Sequence, residues 1–398
     1  MKPAPSTLRV FILIFAALVF GIPDRLDAAQ SLTLKLYRIP DNTPAQDRIH
    51  VAGNFNQWNP ADPNAVFQKD ADGVLTLTLS VSGPLAFKIT RGSWATVERD
   101  EDGRDISNRE ITLIDEPSTK ALNVGSWADS QGASGGTRSG RIEVLDFSLK
   151  GLGARKIWVY LPPDYARTDK NYSVLYMYDA QNLFDRRSTA FGQEWRVDES
   201  LEELYYEENH PGLIVVAVDN SNRRGCEYNV FPEDPHPYCA AGSALGQGLN
   251  EAIVKELKPF VDQRYRTRQG REHTAVTGSS MGGQMALAMG LLYPETFSRV
   301  FALSPSYQNQ LQNPLRMPQW IRSLNPAPSV SVYQDIGDAE VIRDIRPETL
   351  IANMKAVSEA LKNLGFPVEQ NEAYVIPGAA HNERAWSARF KDLARRLD

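Results

Sequence analysis

Cysteine is scarce, with two in 398 residues. Two thiolates cannot supply a four-ligand structural zinc site by themselves, and a disulfide-dense scaffold is excluded. The pair, Cys226 and Cys239, brackets the polar loop CEYNVFPEDPHPYC. In an exported chain such a pair is expected to close as one disulfide. A basic excess is also missing: Lys and Arg number 43 against 49 Asp and Glu, for a net charge of -6. That argues against a nucleic-acid partner or an anionic membrane surface. The apolar run Val10 to Phe20 is too short to span a bilayer comfortably. Lys2 and Arg9 give it a positive front, and the small residues Ala28 and Ala29 follow. Residues 1–29 therefore read as a signal peptide, with the mature chain periplasmic or secreted and no stable membrane partner after cleavage. No solenoid-type repeat is present. Histidine is rare: His50, His210, His236, His273 and His381 are all there are.

What is present falls into two patterns. Residues 30–128 carry short alternating or β-branched runs, such as LTLKLYRI, RIHVAGNF, GVLTLTLSV, LAFKIT and REITLI. Turn residues separate them, which predicts a β-sandwich. Residues 129–140, DSQGASGGTRSG, have no apolar periodicity and read as a flexible linker. From Arg141 to the C-terminus continuous apolar runs alternate with helical periods. SVLYMYD, LIVVAVD, TAVTG, RVFALSP and SVSVYQDIG read as strands buried on both faces. LNEAIVKELKPFVDQRY and PETLIANMKAVSEALKNLG read as helices. The second pattern predicts an α/β domain with a largely parallel sheet.

Within it, HTAVTGSSMGGQMALAMGLL contains Gly278-Ser279-Ser280-Met281-Gly282, a G-x-S-x-G match. The pattern is weak alone. Here it stands between a predicted strand and a predicted helix, the setting of a nucleophile elbow. The glycine register selects Ser280, because the Ser279 register would need glycine where Thr277 and Met281 stand. A serine hydroxyl needs a base to take its proton. In the hydrolase order Ser, acid, His, the base must follow Ser280, and only His381 does so. The acid should come from the loop after SVSVYQDIG, where Asp335, Asp338, Glu340 and Asp344 are candidates. Asp335 lies inside the strand run and reads as structural; Glu340 is preferred to Asp338, with both left open. The backbone N–H of Met281 should supply one oxyanion donor, and that of Gln181, after SVLYMYD, the second.

Together these residues resemble the esterase family that includes esterase D, enterochelin esterases and family 1 carbohydrate esterases such as feruloyl esterases. The resemblance runs from about Arg141 onward through VLYMYDAQNLFD, IVVAVDNSNRRGCEY, VTGSSMGGQMAL, FALSPS and GAAHNERAW. It implies an α/β-hydrolase fold and a triad of Ser280, Glu340 and His381, with the acid in GDAE, and no cofactor or metal. The family often carries glycine where this chain has Ala180. Arg224 corresponds to a stretch near the family's substrate cleft, as a substrate contact or a structural ion-pair partner. The N-terminal region resembles starch- and glycogen-binding modules through VAGNFNQWNP and LAFKITRGSWATVERDEDGRDISNREI. That resemblance implies a glycan partner held by Trp58, Lys88 and Trp94; the alternative places both tryptophans in the sandwich core. DEDGRD lacks the glutamate a calcium loop would carry at Ile111, so it reads as a solvated hairpin turn. The expected activity is hydrolysis of acyl or feruloyl esters of polysaccharides. A siderophore esterase, or a glycan-binding protein with a vestigial hydrolase domain, are the competing readings.

Overall fold

A computed structural model describes residues 29–397 except 113–116, 131–135, 190–191, 233–238, 241, 308–314 and 326. Nearly all of the expected signal peptide lies outside the described residues.

The N-terminal residues form two facing sheets and a short two-stranded pair, Glu98–Arg99 with Ser126–Trp127. Of the facing sheets, one pairs Gln68–Lys69, Leu75–Val81, Gln30–Arg38 and Ser118–Asn123; the other pairs His50–Gly53, Leu85–Thr90 and Arg109–Ile111. Leucines 32, 34, 36, 77 and 79 meet Val51, Phe87 and Ile89 between them. This is the alternation of a two-sided sheet with one face in the core. Strand Ser118–Asn123 was not legible in the sequence. Its run STKALN buries only Leu122 fully and lacks an apolar rhythm.

The C-terminal domain is built on eight strands: β1 Arg141–Leu149, β2 Gly153–Leu161, β3 Ser173–Tyr178, β4 Leu213–Val218, β5 Thr274–Ser279, β6 Arg299–Leu303, β7 Ser331–Gly337 and β8 Asn371–Ile376. Their order in the sheet is β1-β2-β4-β3-β5-β6-β7-β8. β1 and β2 are antiparallel to their neighbours, and the rest run parallel. β3, β4 and β5 are buried along their whole length, as continuous apolar runs require. Helix α1 is Val197–Glu208. Gly246–Ala252, Ile253–Leu257 and Lys258–Arg264 run on as α2, with a π turn in the middle. Helices α3 Met281–Leu292, α4 Pro347–Asn363 and α5 Glu383–Ala394 complete the layers. α2, α3 and α4 bury their apolar faces on one side of the sheet, α1 and α5 on the other. The result is an α/β-hydrolase fold with an added β-sandwich.

The two units are in contact. The edge strand Ser118–Asn123 lies against α1, where Glu207 Oε1 accepts the Ala121 N–H at 2.9 Å and Glu207 Oε2 pairs with Lys120 at 3.2 Å. The DEDGRD stretch is indeed a turn: Asp100 Oδ1 accepts the N–H groups of Asp102 and Arg104. It is not merely solvated, however, because Asp102 pairs with Arg186 at 2.6 Å across the junction. The expected linker is likewise docked at its described end. Thr137 and Ser139 are buried and bond Arg186 N–H and Asp198 respectively. Four carboxyls, Glu194, Asp198, Glu199 and Glu202, are buried beneath this junction. Burial pushes Glu194 and Glu202 each up to about 8, with the charge of Glu199 adding to it. Asp198 and Glu199 are raised as well, first by burial.

Cys226 and Cys239 form a disulfide with Cα atoms 4.9 Å apart.

Candidate active site

β5 ends at Ser279, and α3 starts at Met281, so Ser280 sits on the turn between them with φ 57° and ψ -123°. A non-glycine residue reaches that region only under strain, which marks functional positions. The flanking glycines explain how the turn closes. A Cβ on Gly278 would lie 2.6 Å from the Gly282 carbonyl, so the two ends of the elbow meet backbone to backbone. Both glycines of the motif are thus used by the turn, while Ser279 is buried in the strand.

His381 lies in the loop between β8 and α5, and its Nε2 is 2.9 Å from Ser280 Oγ. Its Nδ1 is 2.8 Å from Glu340 Oε2. The loops carrying His381 and Glu340 cross closely: a Cβ on Gly337, the last residue of β7, would fall 2.0 Å from the Ala379 carbonyl oxygen. Glu340 is fully buried, and its other oxygen accepts the Gly337 N–H at 2.7 Å and the Ser304 hydroxyl at 2.5 Å. Of the two loop acids, Glu340 is the one whose carboxyl reaches the His381 ring. Asp338 instead accepts the Gly378 N–H at 2.6 Å and braces the histidine loop. Asp335, read as structural, pairs with Arg389 at 2.9 Å in the interior.

The direction of each proton follows from the donors available. Trp386 Nε1 and the Arg389 guanidinium can only donate, and both reach Ser304 Oγ. The single Ser304 proton is therefore free for Glu340. The carboxylate, receiving three donors, leaves Nδ1 of His381 as the protonated ring nitrogen. Nε2 then accepts from the Ser280 hydroxyl. Trp386 also packs edge-on against the His381 ring, with centroids 5.0 Å apart. Ser304, Trp386 and Arg389 were missed in the sequence. FALSPS carried Ser304 and HNERAW carried Trp386 in plain view, with Arg389 three residues further on, but nothing in their spacing marked a shared hydroxyl.

Met281 opens α3, where the first N–H groups have no partner within the helix. Gln181 lies on the turn Ala180–Asn182 after β3 and lines the cavity above Ser280. The alanine at 180 is accommodated because the left-handed residue is its neighbour Asp179, at φ 59°. Ala180 itself is fully buried and needs no glycine conformation. Asp179 is held by Arg224, which donates from Nε and Nη2 at 2.7 Å each, and by Asn220 at 2.5 Å. Burial opposes the Arg224 charge, but the Asp179 carboxylate outweighs it and raises the guanidinium pKa. Arg224 is thus a structural ion-pair partner that also lines the cavity. That cavity, roughly 710 Å³, is also lined by Asn182, Gln193, Glu383 and Trp386. Burial holds the Glu383 carboxyl above its usual range, reinforced by the Asp179 charge.

In the sandwich, Trp58 and Trp94 do not lie in the core, which is filled by Trp127 instead. Their rings are neighbours, 6.4 Å apart at 35°, and Trp94 is 44% exposed. Trp58 has φ 58°, a conformation rare for a bulky side chain. VAGNFNQW makes it possible: the Trp58 N–H bonds Gly53 O at 2.8 Å, and the Asn56 amide bonds Val51 O at 2.9 Å and Asp62 at 3.0 Å. Lys88 is occupied by the Ile106 carbonyl.

Fold and site together define a hydrolase of the α/β class with a Ser–His–acid arrangement at the carboxyl end of its parallel strands. The chain matches the family model described as "Putative esterase" over residues 152–397. It belongs to that family of esterases. An endo-1,4-beta-xylanase/feruloyl esterase of Xylanibacter ruminicola is 24% identical over 264 residues, 65% of this chain and 31% of that protein. The N-terminal region is similar to part of an alpha-amylase of Niallia circulans, 40% identical over 103 residues, 25% of this chain and 8% of the amylase. The chain thus spans less than a third of either relative's length. Among solved structures, an IroE-like serine hydrolase from Shewanella oneidensis superposes with a TM-score of 0.51 at 19% identity, covering 64% of this chain and 79% of that one.

Proposed function

We propose that this protein is an exported serine esterase acting on acyl or feruloyl esters of polysaccharides. The observation that carries the esterase reading is the unbroken chain from Ser280 Oγ through His381 to buried Glu340, at 2.9 and 2.8 Å. Ser280 Oγ attacks the ester carbonyl as His381 Nε2 takes its proton. Glu340 holds the ring in the working tautomer and stabilises the imidazolium. The Met281 and Gln181 N–H groups receive the oxyanion. His381 returns the proton to the departing alcohol, and water then releases the acyl group by the same route.

Two features support a sugar-linked ester. The lining groups Asp179, Arg224 and Glu383 leave no surplus positive charge, because Arg224 is matched by Asp179. A neutral ester fits this better than a ferric tris-catecholate, whose triple negative charge calls for free cations. The Trp58–Trp94 pair, with Trp94 exposed and Trp58 half-buried on a loop that holds strained backbone, suits stacking on a sugar ring. The test is side-by-side hydrolysis of p-nitrophenyl acetate, methyl ferulate and a ferric catecholate trilactone. Preference for the ferulate supports the reading; preference for the trilactone replaces it with a siderophore esterase. No labelling of wild type by a fluorophosphonate probe, or equal labelling of Ser280→Ala, would leave only a glycan-binding protein.

A further inference from the structure

We propose that Ser306 is a further catalytic residue, whose hydroxyl donates to Ser280 Oγ and stabilises that oxygen as it leaves the acyl-enzyme. The inference rests on the esterase reading. Ser306 follows β6 by three residues and is 3% exposed. Its Oγ lies 3.0 Å from Ser280 Oγ, and its N–H bonds the Ser280 carbonyl at 2.9 Å. It is therefore fixed to the elbow at two points.

The donor can be assigned. Ser280 has one hydroxyl proton, and His381 Nε2 takes it, since Nδ1 already donates to Glu340. Ser280 Oγ can then only accept from Ser306. What matters for rate is how this bond changes along the reaction. In the free enzyme it is made to a hydroxyl oxygen. In the acyl-enzyme the same oxygen is the alkoxy oxygen of an ester, a poor acceptor, and the bond is weakened.

During deacylation water adds to the acyl carbon, and its proton passes to His381 Nε2. The tetrahedral intermediate then collapses. The C–Oγ bond breaks, its electron pair goes to Oγ, and Nε2–H delivers the proton there. Oγ carries developing negative charge at that moment, and a hydrogen bond to a charged oxygen is the strong kind. Ser306 thus stabilises the collapse more than the acyl-enzyme that precedes it. In acylation the bond exists from the start, so the gain is small. The residue should separate the two half-reactions.

The experiment is stopped-flow hydrolysis of p-nitrophenyl acetate by the full chain, as wild type, Ser306→Ala and Ser306→Thr. For Ser306→Ala, deacylation should slow about tenfold while acylation changes by less than about threefold. The p-nitrophenolate burst should therefore stand out more sharply than in wild type. Ser306→Thr, which keeps the hydroxyl, should restore deacylation. First-order acylation and deacylation constants are independent of the folded fraction, so the alanine variant alone decides if the threonine variant folds poorly. Equal slowing of both half-reactions, or deacylation within about twofold of wild type, overturns the proposal and leaves the esterase reading intact. A wild type that releases no p-nitrophenolate overturns the esterase reading, and the role of Ser306 with it.

Discussion

The triad and the tryptophan pair are both candidate recognition surfaces, and they are built in opposite ways. Around Ser280 each polar group is held by another: Glu340 by three donors, Ser304 by Trp386 and Arg389, the histidine loop by Asp338. The tryptophan pair stands at the surface, and only the loop beneath it is braced. The difference follows from the work proposed for each. A charge that develops on one atom is stabilised by dipoles fixed beforehand. A sugar ring met face to face needs an accessible apolar plane, and area rather than direction.

The comparison predicts that the two surfaces can be disabled separately. The largest effect is expected for Ser280→Ala, which should lower kcat by about 10⁴-fold or more while retention on soluble starch in affinity electrophoresis stays unchanged. Loss of retention in that variant would break the separation. Next comes Glu340→Gln, which keeps the shape but cannot fix the tautomer or stabilise the imidazolium; kcat should fall by about 10³-fold or more. Asp338→Asn serves as its contrast. A fall as deep as that of Glu340→Gln would return the acid's role to Asp338. Trp94→Ala should weaken starch retention about tenfold and leave turnover of p-nitrophenyl acetate within about twofold.

The junction between the units offers a gentler test. The raised carboxyls Glu194 and Glu202 bind protons more tightly folded than unfolded. Their contribution to stability is complete below the ordinary carboxyl range and is lost as pH rises toward about 8. The slope is at most about 1.4 kcal/mol per pH unit for each group. Scanning calorimetry should show a Tm lower at pH 8.5 than at pH 6, and Glu202→Gln should flatten that fall. An unchanged Tm would mean that these groups are solvated. The smallest effect is expected for Asp102→Ala. This half-exposed ion pair with Arg186 should change stability by less than about 1 kcal/mol.

How much was legible in the sequence divides along the same line. The elbow was legible because a Cβ at Gly278 would run into the backbone of Gly282, and at Gly282 would crowd the Tyr178 and Asp179 side chains. His381 was legible because it has no competitor downstream of Ser280. Between Glu340 and Asp338 sequence alone could only rank, since both are loop acids and their difference is a matter of reach. Ser304 and Ser306 stayed hidden because a serine after a strand is common, and only the crossing of three loops puts these two beside the reacting groups. The hairpin DEDGRD was read correctly as a turn, but its partner Arg186 stands far along the chain, beyond any local pattern. Strand Ser118–Asn123 was missed for a related reason. Only Leu122 joins the sandwich core, while Lys120 and the Ala121 N–H answer to a helix from the other domain.

That last strand bears on portability. The sandwich reads in sequence like a cassette that could be lifted out and fused elsewhere. Cut away from α1, however, it would present a parallel edge strand with Ala121 N–H and its neighbours uncapped, the geometry that invites chains to stack on one another. Anyone wishing to transplant the tryptophan surface should carry a surrogate for Glu207 with it, or expect the excised module to associate with itself.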